Sequence, residues 1–306
     1  MPLADSPAGT PTRRTAIPGG SRIRAYYELT KPGIALFVMM TAGVAYFVGS
    51  RGDAQLLPVA HVLLGTLLAT AGALALNQYL EREVDARMVR TRQRPVPSGR
   101  LRPVEALLFG SALVAGGCLY MWATVGGLPA ALTLFSAFAY NFIYTPLKSR
   151  SYMATLAGAI PGAMPALIGW SAATGTVSLG GLVLFAIAFL WQLPHVLALA
   201  WLLREDYTRA GFFLTPPADP AGRVIARQMN LYTVTLIPVS LLPTLIHLTG
   251  WIYFAGALVL GLGLLVWTLR AGMTMSREAV RKVFLGSLAY QPLLLAFMLV
   301  DTLPAG

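Results

Sequence analysis

The sequence predicts an all-α membrane protein with nine transmembrane helices. Three observations predict it. The 306 residues are 56% hydrophobic and 11% charged, whereas a soluble domain carries about 25% charged residues. Stretches free of Asp, Glu, Lys and Arg form six windows, 32–50, 54–80, 106–147, 151–203, 228–269 and 283–300. Once these windows are folded into spans, 22 of the 23 Lys and Arg fall on one side. Such a composition excludes a soluble enzyme, a disordered chain and a coiled coil. The single Cys, Cys118, excludes a disulfide framework and a thiolate metal cluster. A net charge of +11 would suggest nucleic acid in a soluble chain. In a membrane chain it reads as topology, so the lipid bilayer is the expected partner surface and no nucleic acid is expected.

The elements follow in order. Residues 1–25 are rich in Pro, Gly, Ser, Thr and Arg and lack the apolar run of a cleaved signal peptide. They read as a disordered basic cytoplasmic tail, and 26–306 as one membrane domain. A span needs about 20 apolar residues, so windows 32–50 and 54–80 hold the first and second spans. Window 106–147 is twice as long and folds back at Val125-Gly126-Gly127-Leu128-Pro129, giving the third and fourth. Window 151–203 turns at Ala173-Thr174-Gly175-Thr176 into the fifth and sixth. Window 228–269 turns at His247-Leu248-Thr249-Gly250 into the seventh and eighth, and 283–300 is the ninth. The cation-rich loops are cytoplasmic by the positive-inside rule. The N-terminus is then inside and the C-terminus outside, and the short tail favours a bacterial inner membrane.

Polar residues gather on the inside face. Asn77, Glu81 and Asp85 are spaced i, i+4, i+8 where the second span leaves the bilayer, so they share one helix face. Such oxygen ligands suit Mg²⁺ beside substrate phosphate. Arg87, Arg90, Arg92 and Arg94 follow, and guanidinium forks match phosphate oxygens. An ordinary juxtamembrane helix with ion pairs would have the same spacing. His195 and Asp206 are 11 residues apart and return to one face, with the imidazole about three turns deeper. An intramembrane His is a functional candidate, or a neutral ring satisfied by a neighbouring carbonyl. His61 and His247 lie toward the outside and read as interfacial. Lys148 ends the fourth span, placed to meet phosphate or to snorkel. The fifth span opens on small residues with Pro161 and Pro165, suited to close helix contact and a shaped cavity wall.

These stretches together resemble the UbiA superfamily of intramembrane prenyltransferases, and within it the branch that farnesylates haem. The resemblance rests on Leu29-Thr30-Lys31-Pro32, on Asn77-x-x-x-Glu81-x-x-x-Asp85-x-x-Met88-x-Arg90-Thr91-x-x-Arg94-Pro95, and on Tyr144-Thr145-Pro146-Leu147-Lys148. It rests further on Gly158 to Pro165 with Gly169-Trp170, on Trp191-Gln192-Leu193-Pro194-His195, and on Arg204-Glu205-Asp206-Tyr207-x-Arg209-Ala210-Gly211.

The resemblance implies a helical bundle around a central cavity open to the cytoplasmic side, which binds Mg²⁺ and farnesyl diphosphate and prenylates the vinyl group of haem B, releasing haem O and diphosphate. Carried over residue by residue, it makes Asn77, Glu81, Asp85, Lys148 and Asp206 catalytic. It makes Asn77, Glu81, Asp85 and Asp206 metal ligands, and Arg90, Arg94, Lys148, Tyr207 and Arg209 diphosphate ligands. His195 is the candidate haem contact. A terminal oxidase or haem A synthase is the protein partner such a product would suit. The first motif carries Glu81 where many members have Asp, and the second lacks their Asp-x-x-x-Asp form, which leaves the ligands of a second ion open. Two other readings fit the residues: an aromatic acceptor such as 4-hydroxybenzoate, and a haem carrier. The carrier is opposed by the lack of ionisable residues at mid-span.

Overall fold

The computed structural model describes residues 19–214 and 219–304. Among them regular structure is helical, apart from one isolated bridge between Thr249 and Thr302. The expected tail lies outside the described residues up to 18. Helix begins at Gly19, ahead of the expected boundary at residue 26, as α1 (Gly19–Leu29).

Helix α2 (Pro32–Gly49) starts at a proline, whose missing N–H is harmless at that position. The second span is α3 (Leu56–Leu80), followed by the one-turn α4 (Arg82–Asp85). Helix α5 (Pro103–Thr124) opens on a capping interaction, with Glu105 accepting from the Arg102 N–H at 2.7 Å. The fourth span is composite: α6 (Gly127–Phe138), a π-helical segment (Ala139–Tyr144) and α7 (Thr145–Leu147). Helices α8 (Ala154–Thr174) and α9 (Leu179–Leu202) form the second hairpin, turning at Gly175 with φ +72°. The amphipathic α10 (Arg204–Ala210) precedes α11 (Arg223–Leu245), α12 (Trp251–Thr274) and α13 (Arg277–Val300). All three expected turns are present.

Among the described residues there are nine long rods, of which eight are apolar and long enough to span a membrane. The ninth is α11. Arg223, Arg227, Gln228 and Asn230 occupy its first two turns, so its apolar part is the shortest; it packs between α9 and α12.

Close approach of backbones sets the architecture. A Cβ on Gly169 of α8 would sit 1.9 Å from the Ala42 carbonyl oxygen of α2. A Cβ on Gly72 of α3 would sit 2.6 Å from the Gly110 carbonyl oxygen of α5. Only glycine permits these contacts, as expected where helices associate by van der Waals fit rather than water exclusion. Pro165 in α8 cannot donate to the Pro161 carbonyl, and Ser136 of α6 takes that acceptor at 3.1 Å. Helices α2, α3, α6, α8 and α9 thereby enclose a cavity of about 220 Å³.

Candidate active site

Beyond Leu74, the last α3 residue lining this cavity, the end of α3 carries a polar cluster. Its helix breaks at Glu81, yet the ladder continues: Glu81 N–H donates to the Asn77 carbonyl at 2.9 Å, and Asp85 N–H to that of Glu81 at 2.7 Å. Asn77, Glu81 and Asp85 therefore keep one face, and all three are buried, Asp85 completely.

Buried carboxylates require partners, and each finds a cation from elsewhere. Arg94 donates to both oxygens of Asp85, at 2.8 and 2.7 Å. The loop that returns it is held by Thr91, whose hydroxyl donates to the Asp85 carbonyl at 2.9 Å. Lys148 Nζ donates to Glu81 Oε1 at 2.8 Å and lies over the Tyr144 ring at 4.3 Å and the Phe212 ring at 5.8 Å. Burial opposes the Lys148 charge, but Tyr144 and Glu81 outweigh it and hold its pKa above the ordinary lysine value. Asn77 donates to Thr145 Oγ1 at 3.0 Å and accepts from Lys31 Nζ at 3.4 Å. Burial, with repulsion from Arg94 and Lys148, brings Lys31 down to about 7. Arg94 and Lys148 each match one carboxylate, which leaves Lys31, part-charged near neutral pH, as the basic group that an added anion would hold protonated.

Sequence reasoning did not assign Lys31 a role. Its signal was present, since it stands directly before Pro32 and adopts a left-handed backbone (φ 45°) that aims it back at Asn77. Lys148 is also better defined than expected, as a buried ion-pair partner rather than a snorkelling residue.

The second polar loop meets the first through apolar residues. Tyr207 on α10 is buried and shares an apolar cluster with Met88, Phe212 and Tyr144; burial pushes its hydroxyl pKa up. Its neighbours do not join the cluster. Asp206 accepts from Arg209 at 3.1 Å within its own helix. Arg90 and Arg209 are exposed. Among the described residues no three His, Cys, Asp or Glu side chains gather as a metal cluster, so Asp206 does not complete a ligand set with Glu81 and Asp85. The part that fits a divalent cation is narrower. Asn77, Glu81 and Asp85 offer buried oxygen donors on one face, the chemistry a hard ion takes.

His195 departs most from expectation. It does not line the cavity. Its Nδ1 is 2.9 Å from the Ser287 hydroxyl of α13, and its ring stacks between Trp191 at 5.6 Å and Phe284 at 4.7 Å. It is a helix-contact residue. Gln192, one turn earlier, lines the cavity instead, anchored to the Ala159 carbonyl at 2.8 Å. The cavity wall is otherwise apolar or hydroxyl-bearing, with Tyr140 and Tyr144 at its inner end. Toward the outside His61 contacts the Tyr120 hydroxyl at 2.6 Å, and the His247 carbonyl accepts from Arg51.

The sequence matches the UbiA prenyltransferase family over residues 38–297. A protoheme IX farnesyltransferase from Solibacter usitatus is 43% identical over 288 residues, covering 91% of this chain and 99% of that one. A solved structure of digeranylgeranylglyceryl phosphate synthase superposes with a TM-score of 0.76 at 16% identity, covering 91% of this chain and 98% of that one. A UbiA homologue from Archaeoglobus fulgidus, bound to GPP and Mg²⁺, superposes with a TM-score of 0.62 at 15% identity, covering 90% and 99%. The two structures share the fold.

Proposed function

The chain belongs to the UbiA prenyltransferase family, and we propose that it transfers the farnesyl group of farnesyl diphosphate to the vinyl group of haem B, giving haem O and diphosphate. One arrangement carries the chemistry: Lys148, paired with Glu81, lies over the Tyr144 ring that lines an apolar cavity, and Arg94 and Lys31 stand on the same polar cluster, so a diphosphate head and a hydrocarbon tail are accommodated side by side. The haem acceptor follows the relatives' activity. Cleavage of an allylic C–O bond places negative charge on diphosphate, and preorganised cations stabilise that charge. Lys31, Arg94 and Lys148 are the residues in place to do so, with Arg90, Tyr207 and Arg209 on the adjoining loops. Mg²⁺ held by Asn77, Glu81 and Asp85 would supply further charge neutralisation to the leaving group. Tyr144 and Tyr140 wall the allylic carbon and exclude the water that would trap a cation there. The vinyl carbon attacks, and water then adds to the porphyrin-stabilised cation and loses a proton to the released diphosphate. No side-chain nucleophile is needed.

We place the protein in a bacterial inner membrane with its N-terminus in the cytoplasm, on the positive-inside distribution of its cations. A terminal oxidase or haem A synthase would receive the product. The test is turnover of purified protein with haem B and farnesyl diphosphate, followed by mass spectrometry of the porphyrin. Haem O that requires Mg²⁺ and disappears in Asp85→Ala is expected. Prenylation of a phenolic acid instead would overturn the acceptor.

A further inference from the structure

Gln192 sets a carbonyl oxygen into the cavity wall, and its orientation is fixed. Its Nε2 donates to the Ala159 carbonyl at 2.8 Å and to the Ala188 carbonyl at 3.2 Å. Both partners are acceptors and a primary amide has two N–H donors, so the nitrogen must face them and is then saturated. Oε1 is left over. It accepts from no described residue, and it is not sealed in as the unpartnered hydroxyls of Thr66 and Thr155 on the same wall are. Gly162 makes the space for it, since a Cβ there would stand 2.1 Å from Oε1. Its depth follows from α8. Lys148 Nζ stands 4.3 Å over the Tyr144 ring, and a Cβ on Gly158 would meet that ring at 2.6 Å. Gly162 is one turn further along α8, about 6 Å. The oxygen therefore lies one turn deeper than the ring beneath the Lys148 ammonium.

A fixed acceptor on an apolar wall recognises a hydrogen-bond donor. A prenyl chain carries none, and neither does a vinyl group. The donor that the reaction does require is one molecule of water, which adds after the carbon–carbon bond has formed. We propose that Gln192 holds that water and so decides whether the porphyrin-stabilised cation is hydrated or merely loses a proton. One O–H of the water donates to Oε1, and a lone pair on its oxygen forms the new C–O bond to the cationic carbon beside the macrocycle. The oxonium then gives its extra proton to the released diphosphate, and haem O results. With no water held, the neighbouring CH₂ gives a proton to diphosphate instead. A C=C bond forms there, and the product is lighter by one molecule of water. The turn of helix between ring and oxygen also keeps the held water beyond bonding distance of an allylic carbon at Tyr144, while the cationic carbon lies two bonds further on. Gln192 is thus a positioning residue, acting through the water it orients.

This role rests on the haem-acceptor reading of the site. Its test is the ratio of two products formed in one reaction, which a loss of stability or a slower turnover would not move. Purified protein is given haem B, farnesyl diphosphate and Mg²⁺, and the porphyrins are separated and weighed by mass spectrometry. Wild type should give haem O with little of the dehydrated alkene. Gln192→Leu keeps the bulk and removes the acceptor, and should raise the alkene share about fivefold or more, the size of one lost hydrogen bond. Gln192→Glu, whose neutral carboxyl donates to the Ala159 carbonyl and still presents an oxygen, should stay within about twofold of wild type. Gly162→Ala leaves Gln192 in place but drives a methyl group into Oε1, and should raise the alkene share as Gln192→Leu does. An unchanged ratio in Gln192→Leu overturns the proposal. So does an equal rise in Gln192→Glu, which would make the side chain a packing element. Should Gln192→Leu not accumulate, Gly162→Ala and Gln192→Glu decide by the same ratios. If wild type forms no prenylated porphyrin, the acceptor reading fails and this role with it; if wild type forms haem O and the variants leave the ratio unmoved, only the role of Gln192 fails.

Discussion

Glu81 and Lys148 show how much a single buried pair governs here. Their side chains are 7% and 10% exposed, so removing one partner strands a charge in a poorly solvated place, at roughly 3–5 kcal/mol. Lys148→Met should lower the melting temperature and abolish turnover. The double variant Lys148→Met with Glu81→Gln should recover most of the stability and none of the activity. Recovery of haem O in that double variant would contradict a catalytic role for the pair. His195 leads to the opposite expectation. Its partners are Ser287, Trp191 and Phe284, all from helix contacts, so His195→Ala should cost about 1–3 kcal/mol of stability and leave the KM for haem within a few-fold. A large rise in that KM would restore the haem-contact reading.

Which of these residues the sequence could reveal depends on how far apart their partners lie. Asn77, Glu81 and Asp85 were legible because helix period alone puts them on one face. The Lys148–Glu81 and Lys31–Asn77 contacts join residues 67 and 46 positions apart, which no local pattern encodes. The contacts of His195 were not legible because periodicity tells which residues share a face but not which neighbour that face meets. Gln192 and His195 differ by only about 60° around α9, and that rotation separates the cavity from α13.

The elements repeat the distinction. All three hairpin turns followed from charge-free window lengths and Gly/Pro clusters. The π-helical Ala139–Tyr144 did not, because nothing in its composition distinguishes it from an α-helix. It matters to the site, since such widened turns recur where function is placed and this one carries Tyr140 and Tyr144 into the cavity. Glycine seams are the other element-scale determinant. Gly169→Leu would drive a side chain into the backbone of α2 at Ala42, where a Cβ alone meets oxygen at 1.9 Å. The protein should then fail to accumulate in membranes, whereas Gly116→Leu, at a position with nothing within 4 Å of a Cβ, should be neutral. Equal yields of the two by size-exclusion chromatography would contradict this assignment of the seam.

Over the whole molecule, charge rather than apolarity defines the two sides. The cation-bearing loops of α4, α10 and the α12–α13 turn lie at one end of the bundle, where the site is. At the other end Asp301 accepts from the Tyr253 N–H at 2.7 Å, closing the start of α12. Counting α11 as a span beside the eight apolar rods gives nine, an arrangement that puts the termini on opposite sides. A reporter active only outside the cytoplasm should therefore be active when fused after residue 304 and silent in the loop near residue 99; the reverse pattern would invert the topology.

The apolar wall of the cavity also bears on the electrical insulation of the bilayer. A continuous file of water through a membrane protein would short-circuit a proton gradient. Here the carboxylates beside the cavity are each paired with a cation, and Ile168 of its wall belongs to the packed cluster of Met121, Ala130, Met164 and Leu167. An enzyme that must admit a long lipid tail without dissipating the membrane potential needs a blind chamber. Vesicles containing the purified protein, with or without donor, should hold an imposed pH gradient as long as protein-free vesicles do.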